Sequence, residues 1–213
     1  MLKKLTALFL ALFACSAFAE GFQILPDGRI QAGNTIFRLS VFRKNWSTAD
    51  QGVKGVAVYS GDAVKTDTGM KFSGKFYLTG DSAFDLTELI DKRSEQELRV
   101  QCMLSASEKI ATQLFTYKTY LPLANYDQNP VTVDGKQHLL NGKDQVSMDG
   151  KVIQIPVKNG VVEIDGPRKR QVMLTREGGN VRVCYVFGYP GYTKASVDMT
   201  LKFIPDKTAH ERK

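Results

Sequence analysis

Residues 195–203 alternate without a break, each odd position apolar and each even position polar, from Ala195 and Val197 through Met199 and Leu201 to Phe203. A period of two belongs to a strand with one face in a core and the other in water. Residues 70–78 repeat the pattern. They place Met70, Phe72, Phe76 and Leu78 inward and Lys71 and Lys75 outward, with Gly74 marking a bend or a bulge. Similar runs occupy 35–42, 53–59, 97–105, 112–121, 131–133, 152–157, 161–164, 171–175 and 181–187. Turn chemistry separates them: Asp27-Gly28, Asp134-Gly135, Asn141-Gly142, Asp149-Gly150, Asn159-Gly160, Asp165-Gly166 and Gly178-Gly179-Asn180 suit backbones with positive dihedrals. Short strands at spacings of about 8 to 12 residues predict an all-β fold. The form expected is a large antiparallel β-sandwich, supersandwich or jelly-roll-like, with little helix.

Two segments depart from this rhythm. Residues 82–96 read as a strand ending near Ile90 rather than as a helical turn or two capped by Asp85. Residues 121–130 form a polar, proline-flanked crossing that could separate two sub-sheets within the one domain. A single domain is expected over residues 20–205, followed by a flexible tail, 206–213, too charged to pack.

The start of the chain changes the picture. Lys3 and Lys4 precede a short apolar run that ends in Ala17-Phe18-Ala19, the pattern of a secretory signal peptide over residues 1–19 with cleavage before Glu20. A periplasmic or extracellular protein is expected, with no transmembrane segment after processing. The alternative uses Leu12-Phe13-Ala14-Cys15 as a lipobox and anchors the protein through an acylated Cys15, although Phe13 fits that motif poorly. Removing Lys3 and Lys4 from the 29 basic residues leaves 27 against 22 acidic ones. So mild an excess favours acidic polymers or anionic surfaces and does not identify a nucleic-acid binder.

Cys102 and Cys184 survive processing, and export invites a disulfide between them. Cys102 shares its face with Leu98, Val100 and Leu104, a core face. Cys184 lies opposite Val181, Val183, Tyr185 and Phe187. If those four face the core, the two sulfurs point apart and cannot bridge.

Little catalytic chemistry is visible. The chain has two histidines, His138 and His210, and lacks zinc, phosphate-loop and dinucleotide motifs, so no cofactor, metal or catalytic residue is assigned. Asp81, Asp85, Glu88 and Asp91 form the densest acidic group, with Lys92 and Arg93 beside them, as on a solvated face. Arg168-Lys169-Arg170 follows Asp165-Gly166-Pro167, where a turn would enter a strand. It is either a solvated turn or a contact for a sulfated or uronic polysaccharide or for lipid headgroups, since guanidinium forks match planar oxyanions. Trp46, in a polar loop, and the turn holding Tyr189 and Tyr192 either plug the ends of the sheets or stack on sugar rings.

The order of elements adds a resemblance. Trp46, residues 72–76, 84–88 and 98–105, Leu121-Pro122-Leu123, the 131–140 segment Val-Thr-Val-Asp-Gly-Lys-Gln-His-Leu-Leu, and the last two strands resemble the β-sandwich modules attached to secreted bacterial glycoside hydrolases and polysaccharide lyases. The likeness spans most of the mature chain and carries no catalytic motif. It implies a free-standing accessory or binding domain and transfers no site residues.

The expected function is therefore a non-catalytic, exported β-sandwich that binds carbohydrate or cell-envelope glycan. Trp46, Tyr189, Tyr192, Arg168, Lys169 and Arg170 are its candidate ligand contacts. A sandwich-class epimerase or lyase, or a structural envelope protein that binds another protein through a strand edge, are the alternatives. The intact mass of the exported protein should correspond to a chain starting at Glu20 without lipid. Incorporation of labelled palmitate would show Cys15 to be the processing site instead.

Overall fold

The computed structural model describes residues 21–206; the leader, Cys15 and the tail from residue 207 lie outside the described residues. The chain opens with β1 (Phe22–Ile24), β2 (Ile30–Ala32), β3 (Thr35–Arg43), β4 (Thr48–Asp50), β5 (Ala57–Tyr59) and β6 (Val64–Lys65). Longer strands follow: β7 (Gly69–Thr79), β8 (Ser82–Ser94), β9 (Glu97–Ser105) and β10 (Thr112–Pro122). A single turn-and-a-half of helix, α1 (Leu123–Gln128), leads to β11 (Val131–Val133) and β12 (Lys136–His138). The chain closes with β13 (Gln145–Val157), β14 (Gly160–Glu177), β15 (Asn180–Gly188) and β16 (Lys194–Pro205). With strand over 67% of the chain and helix over 3%, the fold is all-β, as the alternation implies. Among the described residues no helix is long and apolar enough to cross a membrane.

All pairings are antiparallel, and the sheet runs β1-β2-β3-β10-β15-β14-β16-β9-β8-β7-β5. This sheet curls over its own side chains. Phe84 of β8 meets Phe115 of β10 edge to face at 5.2 Å, although four strands lie between them in the hydrogen-bonded order. Two layers result. One holds β2, β3, β10, β15 and the second half of β14, and the other holds the first half of β14, β16, β9, β8, β7 and β5. Strands from before the 121–130 crossing pair with strands from after it, β10 with β15 and β9 with β16, so the crossing does not separate the sheet into parts.

The hinge between the layers is the hairpin of β13 and β14. Along one side of β14, residues 160–165 and 170–175 pair with β13, with a register shift between them; along the other, residues 160–165 pair with β16 and residues 172–177 pair with β15. The sheet therefore forks at residues 166–171. Sequence reading places hairpin turns at Asp149-Gly150 and Asp165-Gly166; both pairs lie inside strands instead. Their glycines answer to space, not to turn dihedrals. A Cβ on Gly166 would stand 2.0 Å from the Tyr185 hydroxyl, and one on Gly150 would stand 2.1 Å from Cγ1 of Val133. Gly74 likewise is no bulge: its missing side chain admits the carbonyl of Val58, which would lie 2.2 Å from a Cβ there. Of the run 53–59, only Ala57–Tyr59 pairs as a strand.

Residues 82–94 form one unbroken strand, a little longer than the pattern suggests. The alternating faces fall as expected, with Ala195, Val197, Met199, Leu201 and Phe203 all buried. Burying the four larger of these side chains stabilises by roughly 1.5–3 kcal/mol each before conformational entropy is subtracted.

The disulfide considered for Cys102 and Cys184 is absent, and both thiols are free and buried. Val181, Val183, Tyr185 and Phe187 take the core face of β15, so Cys184 points outward from that layer. It joins a separate small cluster with Phe42, Leu114, Met173 and Val186, while Cys102 sits in the main core. Burial pushes both thiols up, Cys184 to about 11, which leaves them protonated and unreactive at neutral pH.

Gly166→Ala should destabilise the protein by about 1–3 kcal/mol through overpacking against Tyr185. Denaturant titration checks this. Adding Tyr185→Phe, which removes the clashing oxygen, should recover part of the loss.

Candidate functional site

The outward face of the second layer carries a groove of about 760 Å³. It crosses five neighbouring strands, from Lys71 on β7 to Arg168 and Arg170 on β14, a span of about 19 Å at the usual spacing of strands. Alternation builds its floor. Leu86, Glu88, Val100, Cys102 and Val197 point into the core, so their neighbours Thr87, Leu89, Gln101, Met103, Ser196 and Asp198 point out and line the groove. Leu89 and Met103 give it an apolar strip among hydroxyl and amide groups. Where the sheet forks, Pro167, Arg168 and Arg170 form one wall.

Its charge is positive. Asp198 is the one carboxylate among the described residues lining it. Arg99 grips that carboxylate from beside the groove through Nε at 2.9 Å and a terminal nitrogen at 2.6 Å, and Gln101 Nε2 donates to it at 3.1 Å. The Arg99 hydrogen bonds hold the Asp198 carboxyl below the usual carboxylate range, so it stays ionised and neutralised in place. No described residue forms a salt bridge with Lys71, Arg168 or Arg170, which leaves three cations for a ligand.

The predicted basic run is thus split. Arg168 and Arg170 reach the groove, while Lys169 turns away towards Asp134 at 3.6 Å. The run lies in mid-strand at the fork, where sequence reading expects a turn. Trp46, Tyr189 and Tyr192 belong to another surface, on the outward side of the first layer. Trp46 meets Phe42 edge to face at 6.0 Å, Tyr189 packs on the cluster that contains Phe42, and Tyr192 stands edge-on to Tyr189 at 6.1 Å. Trp46 has φ 66°, a left-handed backbone that costs a bulky residue roughly 1–2 kcal/mol.

The acidic group divides as well. Asp85 is exposed and paired with Lys75 at 2.6 Å, but Glu88 is fully buried on the opposite face of the same strand. Gln51 holds it: Nε2 donates to Glu88 Oε2 at 2.8 Å and to the Tyr59 hydroxyl at 2.9 Å, while Oε1 accepts from the Leu39 N–H at 3.0 Å. Tyr59 donates onward to the carbonyl of Asp27 at 2.7 Å. Gly28, at φ 77°, closes the cluster, since a Cβ there would stand 2.6 Å from both Gln51 and Glu88. Burial, reinforced by the charge of Asp27 and opposed by the Gln51 hydrogen bond, pushes Glu88 up to about 8. Sealed from solvent, this acid serves the fold. One signal in the sequence pointed to it: Glu88 occupies the inward register set by Phe84, Leu86 and Ile90.

The groove residues on β7, β8, β9 and β16 were missed because their meeting depends on sheet order. Leu89 and Met103, apolar at outward positions, were the one local sign.

No family model matches the chain, and no curated protein matches it. Among solved structures the chain is similar to the crystal structure of 4-alpha-glucanotransferase from Thermococcus litoralis, at 10% identity and a TM-score of 0.48. The match covers 80% of this chain and 27% of that one, so the chain spans about a quarter of that protein's length. A likeness of this degree assigns neither fold nor activity.

Glu88→Gln should change the pH dependence of stability in a defined direction. An acid whose folded pKa is raised stabilises fully below its unfolded value near 4.5, and that contribution is lost as pH climbs towards about 8. The variant should lose this decline and outlast the native protein at pH 8, by an amount on the order of a few kcal/mol. Melting curves at pH 5 and pH 8 compare the two.

Proposed function

We propose that this protein is an exported, non-catalytic β-sandwich that binds an acidic polysaccharide along the outward groove of its second layer. The observation that carries this reading is the groove's length and composition. Three cations, Lys71 at one end and Arg168 and Arg170 at the other, flank an apolar strip and several hydrogen-bonding groups. A uronic or sulfated glycan presents the complement, with regularly spaced anions, hydroxyls, and ring faces rich in C–H.

The same composition supports binding over cleavage. Glycoside hydrolysis uses two carboxyl groups, and Asp198, the one lining the groove, is held by Arg99. No tyrosine or histidine is among the described residues lining it. Export rests on the pattern of residues 1–19, and the all-β architecture is in keeping with the resemblance to accessory sandwich modules of carbohydrate-degrading enzymes.

Polygalacturonate should bind at low salt and a neutral β-glucan should not compete for the groove. The double variant Arg168→Ala/Arg170→Ala should weaken polygalacturonate binding by about tenfold or more, and added salt should weaken the native protein towards the same level. Isothermal titration measures both. Unchanged affinity in the double variant, or release of unsaturated or reducing-end products, would count against the reading.

A further inference from the structure

Trp46 occupies an unusual position for its size. The Trp46 N–H donates to the carbonyl of Arg43 at 2.9 Å and the Arg43 N–H to the carbonyl of Ser47 at 2.8 Å, so Lys44 and Asn45 form the turn and Trp46 follows in the left-handed region, at φ 66°. That place in a hairpin ordinarily falls to glycine. The strain is not repaid by burial, because the residue is 55% exposed and touches Phe42 only edge-on. A strained backbone that holds a large apolar ring in water is an outlier that calls for a functional explanation.

The surroundings add to it. Asn45 Oδ1 accepts from both the N–H and the hydroxyl of Ser47, at 3.1 and 2.7 Å, and Gln113 Nε2 donates to the carbonyl of Lys44 at 3.0 Å, fixing the hairpin to β10. Because β10 lies between β3 and β15, the hairpin after β3 and the Tyr189 turn after β15 stand about two strand spacings apart, roughly 10 Å. Tyr189 there is braced by the apolar cluster and carries the exposed Tyr192.

We propose that Trp46, with Tyr189 and Tyr192, forms a second carbohydrate contact that takes neutral pyranosides by stacking on their C–H faces. It lies on the opposite side of the core from the basic groove, so both sites fill at once. This contact rests on its own observations, and only the statement about joint occupancy depends on the groove.

Trp46 is the only tryptophan in the chain, so indole emission reports this position alone. Titration with cellohexaose and laminarihexaose in high salt should shift that emission saturably with at least one of them. The shift should persist in Arg168→Ala/Arg170→Ala and with polygalacturonate bound, and Tyr189→Ala should weaken it severalfold. Trp46→Gly, followed by calorimetry, should abolish neutral-sugar binding, leave polygalacturonate binding intact and melt no lower than the native protein, because glycine relieves the backbone. Unmoved emission with both hexasaccharides would overturn the proposal. So would displacement by polygalacturonate, or a Trp46→Gly protein that melts several degrees lower.

Discussion

One strand belongs to both layers, and the rest of the molecule depends on it. β14 pairs with β13 on either side of an irregularity at residues 166–169 and exchanges β16 for β15 across it, so the two layers are continuous through a single hairpin. Two strands can pair with one flank of a third only by parting where they meet. The gap is filled from inside by Tyr185, whose hydroxyl presses so close to the backbone that only glycine fits at position 166. The same divergence pushes Pro167, Arg168 and Arg170 out over the neighbouring face. Core closure and the wall of the groove thus have one cause.

The opposite seam is closed differently. There the curled sheet returns on itself without sharing a strand, and polar contacts join the edges. Arg43 Nε donates to the carbonyl of Leu78 at 2.7 Å, and Gln51 ties β3, the strand holding Glu88 and Tyr59 into one network. Burying an acid costs free energy, and one oxygen of Glu88 has no hydrogen-bond partner. Retaining the proton lowers that cost, which links the integrity of this seam to pH. A polar network of this kind also fixes register, because its partners meet in only one alignment of the edges.

The fold class was legible in the sequence because a period of two survives in the middle of nearly every strand, most plainly at 195–203 and 70–78. The turns were legible only where a glycine, asparagine or aspartate adopts a positive dihedral, as at Asp134, Gly135, Asn141, Gly142 and Asn159. Gly150 and Gly166 look identical in sequence but serve close packing, a property of neighbours far along the chain. That error cut β14 into two strands and hid the fork. Of the candidate site, Arg168 and Arg170 were found as a charge run, but the groove they border needs side chains from four other strands whose order no local pattern reveals. Glu88 sits in plain inward register, where its charge argued for the surface and its spacing argued, correctly, for the core.

Function follows from how the two outward faces differ. One is a long basic trough with an apolar strip, suited to a polyanion; the other presents aromatic rings on braced turns. The trough is the central claim, and backbone amide NMR during titration with oligogalacturonate tests it most directly. The expected result is a saturable set of shifts at Thr87, Gln101, Met103, Ser196 and the 168–170 stretch, with Trp46 unmoved. Shifts centred on Trp46 and Tyr192, or none that saturate, would contradict it.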